Sequence, residues 1–345
     1  MRAAPATLVT FTRCPAWCTS GAGRQFGREG RAVQSLVLNM RPIFFGTVLG
    51  IGGLANGWRV AARLWGVPVL IGEVLAIAAF ALWALWCVLY AAKWLRHPVE
   101  ARADLNHPVQ ALLAALVPVA TLIAAIAIGP HVPLLGWWVF AAGAVGVVGY
   151  AAWAVGGLWQ GGRDPAATTA VLYMPTVGGG LVGALACGTF GLPNLGWMFF
   201  GMGLLGWMSM ESVLLTRLLV HRLPPDLRST LGMNLAPAAV ACVAYLALEP
   251  GPADRVALAL FGYGCFLGLV MLRLVPWLRE QPFGPGAWGY TFGVSALPLA
   301  ALRLVEKGVD APVAQMALPL FVVGNLIIGW IAVRSLIQVG RFLAR

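Results

Sequence analysis

Charge is scarce in this chain, and the scarcity decides its class. Only 10% of the 345 residues are Asp, Glu, Lys or Arg, against roughly 25% in soluble domains. Hydrophobic residues make up 60%, and mean hydropathy is +0.83. This excludes an ordinary soluble enzyme or binding module and leaves a polytopic membrane protein. Acidic residues are scarcer than basic ones, 12 against 23, for a net charge of +11. In a soluble protein that balance would point to nucleic acid. Here the basic residues sit in loops and tails, where they orient the chain in a lipid bilayer. No nucleic-acid partner is expected.

The residues of catalysis are also few. The only lysines are Lys93 and Lys307, and neither is mid-span, as a retinal pigment would require. The four histidines, His97, His107, His131 and His221, lie in loops or near span ends, away from metal-ligand spacing. Cys14 and Cys18 lie near the N-terminus without a second ligand pair. Cys87, Cys187, Cys242 and Cys265 are scattered through apolar stretches, as small hydrophobes would be. No phosphate loop and no nucleophile with its base is present. The sequence therefore leads us to expect no enzyme, no cofactor and no metal.

What is abundant is glycine (43) and tryptophan (15); the first permits close helix contact and the second suits the membrane interface. A span needs about 20 apolar residues, and ten stretches qualify: 42–62, 70–94, 108–129, 133–159, 170–192, 194–220, 229–248, 254–278, 286–304 and 314–338. Residues 1–40 read as a flexible basic cytoplasmic tail and 41–345 as the membrane domain. With the N-terminus inside, 18 basic residues fall inside and 5 outside. The positive-inside rule then puts both termini in the cytoplasm.

The odd spans share a design. The third, fifth, seventh and ninth carry Pro118, Pro175, Pro237 and Pro298, separated by 57, 62 and 61 residues. Proline removes a backbone hydrogen bond and bends a helix, so a hairpin of one bent and one straight helix recurs about every 60 residues, as in internally repeated transporters. In the first span Gly46, Gly50, Gly52 and Gly53 take the place of proline. The later odd spans lack charge in 108–129, 170–192, 229–248 and 286–302. Their polar groups include Thr121, Thr176, Asn234, Tyr290, Thr291 and Ser295, the expected lining of a neutral pathway. Glu211, on an even span, is an intramembrane acid with either a structural or a coupling role.

Several stretches carry a family resemblance: Phe45-Gly46 with Leu49-Gly50 and Trp58; Asp104 through Val109; Trp207 to Leu219 with Glu211 and Arg217; Leu223-Pro224 through Arg228, then Asn234 to Pro237; and Trp288-Gly289-Tyr290-Thr291-Phe292. In this order they resemble the tellurite-resistance/dicarboxylate transporter family, most closely its TehA-type bacterial members, with the plant slow-type anion channels as relatives. Gly293 and Ser229 stand where the family has proline. The resemblance implies an all-α fold of ten transmembrane helices. They would form five hairpins in quasi-five-fold order around a central pore, with the odd helices inside. It also implies a homotrimer in the bacterial inner membrane, and a pore gate at Phe292.

Two mechanisms follow. The first is an anion channel or uniporter for small inorganic or organic anions, closed by Phe292 as an apolar plug. The second is a proton-coupled carrier of dicarboxylates or oxyanions such as tellurite, which needs a titratable group such as Glu211 in the pathway. A purely structural membrane protein would leave the prolines and hydroxyls of the odd spans without a purpose.

Overall fold

The computed structural model describes residues 36–343, all helix and connection, with no strand among the described residues. Most of the expected N-terminal tail, with Cys14 and Cys18, lies outside them. Long runs of good helix formers give long helices: α2 Val69–Arg96, α6 Pro133–Trp159, α8 Pro193–Val220, α10 Arg255–Leu278 and α12 Val313–Leu343. Between them come α1 Gly46–Trp65, α5 Leu116–Ile128, α7 Gly179–Thr189, α9 Ala236–Leu248 and α11 Trp288–Glu306. Two short helices, α3 Pro98–Asn106 and α4 Gln110–Leu113, connect α2 to α5.

Eight segments are long and apolar enough to cross a membrane. α1 and α11 are not among them. Glycine, polar residues and charges at their ends (Arg59 and Arg63 in α1, Arg303 and Glu306 in α11) dilute their apolar content. Burial divides the eight. The most apolar windows of the segments ending in α5, α7 and α9 are 78%, 89% and 83% buried, whereas those of the five long helices are 11% to 39% buried. The long helices present exposed apolar side chains such as Leu70, Trp138, Met208, Leu269 and Leu326, as lipid-facing surfaces do.

Packing follows this division. α1 packs on α5 and α11, α5 on α7, α7 on α9, and α9 on α11. Each long helix packs on two of these: α2 on α1 and α5, α6 on α5 and α7, α8 on α7 and α9, α10 on α9 and α11, α12 on α11 and α1.

The buried helices do not begin as regular α-helix. Short lead-ins precede them: Pro42–Phe45, α4, Ala170–Leu172 with a π-turn at Met174–Gly178, Pro225–Leu235 and Pro285–Ala287. These pack on one another at one end of the molecule. The prolines explain the transition and correct the expectation of mid-helix bends. Pro118 sits in the first turn of α5, Pro237 is the second residue of α9, and Pro175 lies in the π-turn. A first turn has no use for the missing N–H, so proline starts these helices rather than kinking them. Pro298 alone of the four lies inside a continuous helix, α11.

An ion pair locks the lead-in end. The Lys93 side chain is only 3% exposed, and its Nζ donates to Asp104 of α3 at 2.6 Å and to the Met40 carbonyl at 2.8 Å. A buried charge is tolerated only with such partners, so α2, α3 and the chain entering α1 are held together.

Candidate functional site

α11 touches its neighbours on defined faces, and glycine sets how closely. On one face, a Cβ added at Gly50 of α1 would lie 2.3 Å from Thr291 Oγ1, and one at Gly53 would lie 2.1 Å from Ser295 Oγ. On another, a Cβ at Gly293 would lie 2.8 Å from Leu235 Cβ, and one at Gly232 would lie 2.4 Å from the Tyr290 ring. Leu297 reaches Gly264 of α10, and Pro298 reaches Gly324 of α12. At 100° per residue, Phe292, Ala296, Leu299 and Arg303 share the one stripe left over. It lies between the face against α1 and the face against 229–236, opposite α10 and α12. The three apolar residues of this stripe are buried.

The same construction applies to α1. Gly46, Gly50 and Gly53 meet α11, Gly52 meets Ile123 of α5, and Trp58 donates to Asn325 of α12 at 2.9 Å. Leu49, Asn56, Val60 and Arg63 fall between the α5 and α11 faces. α1 and α11 run in parallel register, with Gly46 opposite Trp288, Gly50 opposite Thr291 and Gly53 opposite Ser295. Asn56 therefore sits ~9 Å beyond the level of Phe292 at 1.5 Å per residue. It is half-buried in mid-helix, and its amide has no partner among the described residues. Sequence reasoning missed Asn56; the signal was a single carboxamide within a glycine-rich, otherwise apolar turn.

Most of the expected lining residues serve packing instead. Thr121 accepts from Trp83 of α2 at 3.0 Å and donates to the Val117 carbonyl at 2.9 Å. Thr176 lies against Gly206 and Met210 of α8. Thr291 and Ser295 donate to carbonyls of their own helix at 2.8 and 3.0 Å while lying against α1. Tyr290 donates to the Arg228 carbonyl at 3.2 Å. These hydroxyls thus join helices and lie off the Phe292 stripe. Asn234 differs: among the described residues its buried Oδ1 has no partner, as is true of Gln110 Oε1 and Thr169 Oγ1 at the same end.

Glu211 has partners as well, both on its Oε2. It accepts from the Trp207 indole at 2.8 Å and from the Tyr173 hydroxyl. Arg217 does not pair with it, donating instead to the carbonyls of Pro165 and His221. Glu211 belongs to α8, one of the outer helices, so it lies off the stripes of α1 and α11. Among the described residues no group of three His, Cys, Asp or Glu is placed to hold a metal.

At the end opposite the lead-ins, charge surrounds α1. Arg59 makes a two-pronged pair with Glu73 at 2.9 and 2.7 Å and donates to the carbonyls of Ile126 and Ala127. His131 also reaches Glu73, at 2.8 Å. Arg63 and Arg303 share Glu306, at 2.7 and 2.8 Å. Arg303 and Glu306 are three residues apart on α11, but the other pairs join different helices or a helix and a loop, and no spacing in the sequence announces them.

An all-helical bundle with apolar outer helices and buried, glycine-packed inner ones is a multi-pass membrane transport protein in class. The chain belongs to the voltage-dependent anion channel family, SLAC1, whose model matches residues 39–336. It is also 31% identical over 294 residues to the tellurite resistance protein TehA homolog of Haemophilus influenzae, covering 85% of this chain and 89% of that relative.

Proposed function

We propose that this protein is an anion channel or uniporter. In this reading ten spans form five hairpins in quasi-five-fold order, and α1, α5, α7, α9 and α11 surround the pathway. Phe292 is its gate. The observation that carries the reading is the position of Phe292, on the stripe of α11 left free between the faces against α1 and against 229–236. A phenyl ring at a narrow place in an apolar tube excludes water, and a dry constriction blocks ions. Asn56 supplies an amide donor beyond it, and the polar atoms of Gln110, Thr169 and Asn234, which have no partner among the described residues, support a wet entrance at the lead-in end, since buried polar groups are otherwise paired. The cargo is small inorganic or organic anions. The protein sits in the bacterial inner membrane as a homotrimer, with both termini cytoplasmic. Tellurite resistance, the property named for the Haemophilus influenzae relative, follows from permeation or efflux of an oxyanion.

The alternative, a proton-coupled carrier, needs a titratable group in the pathway. The candidate, Glu211, sits on an outer helix with Trp207 and Tyr173 as hydrogen-bond donors, which favours the uncoupled mode. The test is anion current in planar bilayers for wild type and Phe292→Ala. A near-silent wild type and a large anion current in the variant are expected. No current from a folded Phe292→Ala protein would reject the gate and the channel reading with it.

A further inference from the structure

We propose that Arg63 and Arg303 form an anion-recruiting site at the mouth opposite the lead-ins, with Glu306 as the brace that holds both guanidinium groups over the pathway. The inference deepens the conduction reading and rests on it. Arg303 closes the stripe that begins at Phe292, eleven residues and ~16 Å further along α11. Arg63 closes the corresponding stripe of α1. Both guanidinium groups end on one carboxylate: Arg63 Nε on Glu306 Oε1 at 2.7 Å and Arg303 Nη1 on Glu306 Oε2 at 2.8 Å.

The cluster therefore carries two positive charges against one negative. It is also open. The Arg63 and Arg303 side chains are 51% and 36% exposed. Arg63 uses one further N–H on the Arg59 carbonyl at 3.1 Å. Of the ten guanidinium N–H groups, about seven have no partner among the described residues. Arg59, one turn away, is the contrast. At 14% exposed, with Glu73 and two carbonyls as partners, it has little left for a ligand and serves to fasten α1.

The site answers a difficulty of a pathway framed by irregular backbone. Lead-ins leave carbonyls that attract cations, so selectivity for anions needs an excess of donors elsewhere. Here the excess stands at the mouth. The ligand class is a compact monovalent anion, halide or oxyanion, met first by the arginine pair and next by the Asn56 amide. A guanidinium group is suited to this, being permanently charged and only weakly hydrated.

The experiment measures current in the Phe292→Ala background, in symmetric potassium chloride at low and high concentration. Arg303→Gln is expected to lower conductance about five-fold at low salt, the effect of one unit charge ~4 Å away in water-like surroundings. High salt should erase most of that loss by screening, and Arg303→Lys should keep most of the conductance. Arg303→Cys is then modified in the bilayer, after folding, with thiol reagents of opposite charge. A cationic adduct should restore current and an anionic adduct depress it further. Equal currents for Arg303→Gln and its parent at low salt, or the same response to both reagents, would overturn the site while leaving the channel reading in place. A silent Phe292→Ala parent would overturn both.

Discussion

The contact between α1 and α11 gives the most direct test of how the inner helices are held. Gly53→Ala adds one methyl group to α1. Its carbon would lie 2.1 Å from Ser295 Oγ and 2.8 Å from Ser295 Cβ. Rotation of the serine removes the first clash and sacrifices its bond to the Phe292 carbonyl. The second involves a carbon fixed to the backbone, so α1 must retreat by ~0.6 Å to reach the 3.4 Å or more of ordinary contact. Overpacking of this sort costs about 1–3 kcal/mol. Ser295→Gly removes both atoms at a cost of roughly 0.5 kcal/mol in helix propensity, and it should make Gly53→Ala nearly harmless. The double-mutant cycle, measured by denaturant titration in detergent, is therefore expected to show a favourable coupling of ~1–2 kcal/mol. If Gly53→Ala matches the wild type, or if Ser295→Gly gives no relief, the close approach of these two helices is wrong.

Three further outcomes are expected. Lys93→Met should destabilise by ~3 kcal/mol because it strands the Asp104 carboxylate, and Lys93→Met with Asp104→Asn should recover most of the loss in the same titration. Glu211→Gln should leave anion flux into liposomes intact and insensitive to mild acid; abolition of a pH-dependent flux would support the coupled carrier instead. Asp254 caps α10 by accepting from the Val256 and Ala257 amides at 3.0 Å each and from the Tyr245 hydroxyl. The hydroxyl first, and then the amides, hold its carboxyl below its ordinary value of 3.8. A depressed folded value means that the cap is present above pH 3.8 and is lost only as pH falls through the lower folded value. Amide exchange at the start of α10 should therefore rise only in strong acid, and in Asp254→Asn that acid-dependent rise should be absent.

Much of this structure was legible in the sequence because lipid imposes so simple a rule. Apolar runs gave the places of the helices, and the prolines marked one set of them as different. The prolines did not reveal how. Pro118, Pro175 and Pro237 looked like bends because a sequence does not show where a helix begins; the structure puts them at or near helix starts. The hydroxyls of Thr121, Thr291 and Ser295 read as a lining because periodicity identifies a polar face without saying whether water or another helix meets it. The pairs Lys93–Asp104, Arg59–Glu73 and Arg63–Glu306 were out of reach. The first two join residues 11 and 14 apart, and the third joins residues 243 apart; only the packing of the helices brings each pair together.

The shortness of three buried helices bears on how the protein is made. α5, α7 and α9 have 13, 11 and 13 residues, or ~16–20 Å of helix, against ~30 Å of hydrocarbon. Their lead-ins complete the crossing with backbone that lipid cannot solvate. The regular helix in each is therefore too short to cross by itself, and the crossing depends on neighbouring helices to bury the lead-in backbone. That cover comes from the long helices on either side: α2 and α6 for α5, α6 and α8 for α7, α8 and α10 for α9. Because α6, α8 and α10 follow α5, α7 and α9 in the chain, each short helix is synthesised before one of the long helices that cover it.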